Sequence, residues 1–103
     1  MDRIDYLFMF RTDGCDATVH RREMDTPGGR VTVVGVPTVD EACRVAAQAR
    51  DEGTAAFVEV CGDFGEEGCR RVMAAVDGEL PVGYVTYLPE EGAKLDRLFG
   101  AAG

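Results

Sequence analysis

The chain has one histidine, His20, and none of its four cysteines, Cys15, Cys43, Cys61 and Cys69, stands in a Cys-x-x-Cys pair. These two shortages remove zinc-finger spacing, and with it any expectation of a structural metal. No apolar run approaches the roughly 18 to 20 residues of a bilayer span, and no charged start leads into an apolar core with a small-residue cleavage site. A membrane partner is therefore not expected, and the expected location is the cytoplasm. Positive charge is scarce as well: 11 Lys and Arg stand against 19 Asp and Glu, a net charge of −8. The basic residues do not gather, since Arg21 and Arg22 precede Glu23 and Asp25, and Arg70 and Arg71 follow Glu66 and Glu67. Without a concentrated basic surface to neutralise phosphates, nucleic acid is not an expected partner.

What is there suffices for a fold. The 103 residues, 46% of them apolar, can enclose one core, and we read residues 1–103 as a single α/β domain. So small a domain has little interior in which to enclose a ligand, so a pocket forms more readily between subunits. A homo-oligomer, a dimer above all, is the expected self-partner. In a cytoplasmic setting the thiols stay reduced. Cys43 and Cys69 fall on apolar helix faces and read as small core hydrophobes, while Cys15 lies in a polar turn.

The local patterns predict a sheet with helices. "RIDYLFMF" is apolar with little alternation and reads as a strand over Arg3–Arg11, covered on both faces. "TVHRREMD" and "RVTVVGV" flank "TPGG", a hairpin turn, and the polar first arm, Thr18–Asp25, suits a sheet edge. Thr38 can cap a helix with Glu41 reaching back to its amide, and Val39, Ala42, Cys43, Ala46 and Ala49 recur at helical spacing until Gly53. Ala55–Gly62 reads as a strand. Cys69, Val72, Met73 and Val76 mark a second helix, "PVGYVTYLP" a final strand, and Leu95, Leu98 and Phe99 a short closing helix.

Strand, helix, strand, helix, strand from Arg30 to Leu88 predicts a βαβαβ parallel core. With an N-terminal strand and a β-hairpin added, the expected architecture is a single-domain two-layer α/β sandwich built on a mixed sheet. If the core strands neighbour one another in chain order, both helices share one side and the other sheet face lies open. Alternation then turns Val58 and Val60 toward the helices and Phe57, Glu59 and Cys61 away from them, with Tyr84 and Thr86 sharing a face opposite Val85. An ionised carboxylate costs several kcal/mol in a closed apolar core, so the face bearing Glu59 is expected to meet solvent, a ligand or another subunit. In open α/β sheets sites form beyond the carboxyl ends of parallel strands, where Cys61 and Gly62 stand.

The segments "VVGVPTVDEACRVA", "VEVCGDFGEEGCRRV" and "PVGYVTYLPE" together resemble a family of small bacterial proteins of unknown function. In that family a glutamate, one residue, a cysteine and a glycine precede a phenylalanine-glycine turn. Glu59, Cys61, Gly62, Phe64 and Gly65 match that motif, as do Pro81, Val82, Gly83 and Tyr84. The resemblance implies no activity.

Several chemistries compete for this region. Gly62, Gly65 and Gly68 have neither dinucleotide nor P-loop spacing, and Asp63, Glu66 and Glu67 would compete with an anion for the helix amides. No cofactor is expected. Oxygen ligands from Glu59, Asp63, Glu66 or Glu67 lack EF-hand spacing, and no metal site is expected there. Cys61 could act as a nucleophile near a helix start, although the local acids oppose its ionisation. Glu59 reads as a general acid or base beside Phe57, with Tyr84 or Thr86 orienting a substrate. The expected function is therefore small-molecule binding, extending to proton transfer, elimination or isomerisation with Glu59 and Cys61 catalytic and Phe57, Gly62, Phe64, Tyr84 and Thr86 binding substrate. The alternative is a noncatalytic oligomeric or ligand-binding domain whose open sheet face is a subunit interface.

Overall fold

The computed structural model describes residues 2–100. Its centre is an α/β sandwich: a five-stranded mixed sheet with two helices laid on one face. The strands are β1 (Tyr6–Arg11), β2 (Arg21–Thr26), β3 (Gly29–Val36), β4 (Phe57–Val60) and β5 (Val82–Tyr84), in the spatial order β2-β3-β1-β4-β5. The helices are α1 (Val39–Glu52), α2 (Gly65–Ala75) and α3 (Gly92–Phe99). All neighbouring pairs are parallel except β2 with β3.

One feature of the order departs from the chain-order arrangement expected of the core. β1 inserts between β3 and β4 and pairs in parallel with both, so the crossover through α1 passes over it. This follows from its composition: a strand apolar on both faces has most to gain from the sheet centre, whereas β2, with Arg21, Arg22 and Glu23, takes the edge as predicted. Both helices still share one side, where α1 packs on α2 and both bury against the sheet.

The core is the layer between. Leu7, Met9, Val34, Val36, Val58 and Val60 point up from the sheet into Ala42, Val45, Ala46, Cys69 and Val72 of the helices. Burying each large aliphatic side chain contributes on the order of 1.5–3 kcal/mol, and the alanines of α1 let that helix sit close. The opposite sheet face has neither α1 nor α2 over it, and only its end near Gly35 is covered, by Cys15. Tyr6, Phe8, Phe10 and Phe57 are only half-buried there, so β1 is covered on one face rather than two.

Local chemistry fixes the ends of α1. The Thr38 hydroxyl accepts a hydrogen bond from the Glu41 amide at 3.1 Å, and Gly53, at φ 67°, closes the helix with its amide on the Ala49 and Arg50 carbonyls. Only half of the capping box forms, because the Glu41 carboxylate binds Arg44 instead. In the β2–β3 hairpin one glycine, Gly29, has a positive φ of 142°. A Cβ there would lie 2.0 Å from the Ile4 carbonyl oxygen, so close backbone approach requires glycine at this point.

Candidate functional site

Because β1, β3, β4 and β5 run in parallel, their carboxyl ends assemble at one rim. Three backbone bonds hold it together: Cys61 N–H to the Met9 carbonyl at 3.0 Å, Thr12 N–H to Val36 at 3.0 Å, and Val85 N–H to Val60 at 3.0 Å. A cleft of about 830 Å³ opens there. Its floor is Phe10, Cys61 and Gly62, one wall is the β5 exit at Val85, Thr86 and Tyr87, and Leu95 and Phe99 of α3 form the other. The volume lies within the range of small-molecule sites, and aromatic walls with a few hydroxyls and a charged pair match their usual lining.

Gly62 brings the β4 exit against the β5 exit, since a Cβ on it would stand 3.2 Å from the Val85 carbonyl oxygen. The Cys61 thiol is half-buried and its Sγ accepts the Arg11 amide at 3.4 Å. Arg11 anchors the polar side. Its guanidinium donates to the Asp63 carboxylate, lies 3.3 Å from Asp13 and reaches the Pro37 carbonyl at 3.4 Å. The hydrogen bond to Asp63, and then its charge, raise the Arg11 pKa above its ordinary value. The cleft therefore carries a fixed ion pair beside a thiol and the Thr12 and Thr86 hydroxyls.

The residues singled out from sequence separate into groups. Cys61, Gly62 and Thr86 line the cleft. Glu59 and Phe57 do point away from the helices, but they stand below the cleft on the open sheet face. Phe57 stacks on Tyr6 with ring centroids 4.5 Å apart, and Glu59 is exposed. Two placements are corrected. Tyr84 pairs with Val60 and so lies on the helix side, beside Cys69, Arg70 and Met73; it does not share the face of Glu59. Phe64 is buried in a 3-10 turn, Gly62–Phe64, against Gly68, and is a core residue. His20 is exposed at the far edge, with β3 and β1 between it and β4, and its Nδ1 accepts the Asp16 amide at 2.9 Å. Burial pushes the thiols of Cys43 and Cys69 up, in keeping with their place among the helices.

Sequence reasoning missed Arg11, Thr12 and the α3 wall. The signal for the first two was the doubly apolar pattern of β1: a strand at the sheet centre, parallel to its neighbours, must deliver its own carboxyl end to the rim. Among the described residues no group of three or more His, Cys, Asp or Glu side chains is disposed to hold a metal ion, and no helix is long and apolar enough to cross a membrane.

A family of unknown function (DUF6506) has a model that matches residues 4–100. No curated protein matches the chain.

Proposed function

The chain belongs to that family of unknown function, and from the chemistry of its own rim we propose that it is a small-molecule-binding protein whose site is the cleft at Cys61, Gly62 and Thr86. The observation that carries this reading is the coincidence of that cleft with the carboxyl ends of parallel strands, where open α/β sheets form their sites. Phe10, Tyr87 and Phe99 offer rings for a flat or partly apolar ligand, while Thr12 and Thr86 offer hydroxyls to orient it. Arg11 is held between Asp63 and Asp13, and Asp96 also lines the cleft, so no bare positive charge is presented, which favours a neutral, zwitterionic or cationic ligand over a strongly anionic one. The ligand meets a cytoplasmic, reduced thiol in this reading.

Glu59 is absent from the cleft lining. We therefore assign the site to binding, with Cys61 as the one reactive group in it, and give Glu59 a role in assembly. A metabolite screen by thermal unfolding tests the site. A ligand that raises the melting temperature of the parent protein is expected to lose that effect in Thr86→Trp, whose indole fills the cleft from an exposed position, and to keep it in Glu59→Gln. Undiminished stabilisation of Thr86→Trp would put the ligand elsewhere, and loss in Glu59→Gln would restore the carboxylate to the site.

A further inference from the structure

The open sheet face is divided by kind. Across β2, β3, β1 and β4 one register row reads Met24, Val31, Tyr6, Phe57, and the next reads Arg22, Val33, Phe8, Glu59. Rings stand on β1 and β4; unbranched and branched aliphatic chains stand on β2 and β3. The second row ends in a cation on one side and an anion on the other, both exposed, and neither enters an ion pair among the described residues.

We infer that a second copy of the chain covers this face, in a face-to-face dimer whose twofold axis runs along the strands. Such an axis keeps the strand direction and reverses the strand order, so that β3 lies over β1 of the other copy and β2 over its β4. Aligned packing of two sheets is a standard arrangement. Rings then meet aliphatic side chains in both halves of the interface, Phe8 over Val33 and Phe57 over Met24. The charges select the same axis, because Arg22 of each copy comes to face Glu59 of the other. A twofold axis across the strands would instead set Arg22 on Arg22, Glu59 on Glu59 and ring on ring, with like charges opposed at both rims. The inference deepens the assembly role given to Glu59 and rests on the sheet face alone; an empty cleft would leave it standing.

Charge exchange tests it. By sedimentation equilibrium at micromolar concentration the parent protein is expected to be a dimer. Glu59→Arg and Arg22→Glu are each expected to weaken it about tenfold or more, since each reversal opposes like charges at two symmetric places. Combining both changes in one chain, or mixing the two single variants, is expected to restore the affinity. Both positions are exposed, so circular dichroism should show an unaltered fold. Met24→Asp, at a side chain 65% exposed, gives a second route to a monomer should either reversal misfold. A monomeric parent protein overturns the inference, and so does a dimer that the single reversals do not weaken or that the double exchange does not rescue.

Discussion

At the scale of residues, two glycines illustrate how differently a missing side chain can matter. A Cβ on Gly35 would meet the Phe10 ring at 2.7 Å and Cys15 Sγ at 2.9 Å. Both are side chains that can turn aside, so Gly35→Ala is expected to cost about 1–3 kcal/mol, the usual range for overpacking. On Gly29 the obstacle is the Ile4 backbone at 2.0 Å, and φ is 142°, so Gly29→Ala is expected to cost more than Gly35→Ala. Urea midpoints of the two variants give the comparison, and the reverse order would contradict the close approach of Ile4 to the hairpin.

Acid stability also resolves to single groups. The Asp25 pKa is lowered by its hydrogen bond from Arg30 and then by that residue's charge, and Asp16 is lowered by the hydroxyl and amide of Thr18. Each folded value lies below the ordinary 3.8. Their contribution to stability is therefore present above that value and is lost as the pH falls through the lowered folded value. Urea unfolding repeated at decreasing pH should show stability declining below about 4, with a shallower decline in Asp25→Asn.

Residue identity alone predicted the face of Phe57 and Glu59, because β4 alternates cleanly between Val58 and Val60 inside and these two outside; Cys61 lies past the end of β4 and packs partly against the core. Identity failed for Tyr84 for a physical reason. β5 has three residues with Gly83 at its middle, so no alternation of side chains reveals its parity. Only its pairing with Glu59 and Val60 does.

At the scale of elements, α1 was legible because its cap, its period and its stop agree with one another. Thr38→Ala removes the hydroxyl acceptor of the Glu41 amide and is expected to destabilise by about 1 kcal/mol. Since the carboxylate of Glu41 is engaged with Arg44 rather than with the cap, Glu41→Ala is expected to cost less than Thr38→Ala in the same thermal assay. The strands were legible in number and in the polar edge, but not in order. Neighbour choice depends on how much apolar surface each strand has to hide on each face, summed over the whole sheet, and no local window holds that sum. α3 was legible as an amphipathic segment, yet it buries no residue, and its part in the cleft depends on where β5 releases the chain.

At the scale of the whole molecule, every hydrogen bond between the two halves of the sheet passes through β1. The pair β2–β3 lies on one side and β4–β5 on the other. Native-state hydrogen exchange should find the β1 amides among the slowest, exchanging only on global unfolding, while β2 and β5 at the edges open locally and faster. Fast exchange in β1 with protection in β5 would be incompatible with this order. The cleft itself was half legible: strand carboxyl ends were the right place to look, but Arg11 belongs there only because of where β1 lies.

That position also makes β1 a keystone in time. Tyr6 pairs with Val31 on one flank and with Phe57 on the other, so during synthesis this ribbon emerges well before the second of the partners that trap it. Until β4 follows, one edge of a strongly apolar segment hangs unclaimed. A strand that must wait for both of its parallel neighbours is expected to slow folding, because the loops that bring them together close before the pairing rewards them.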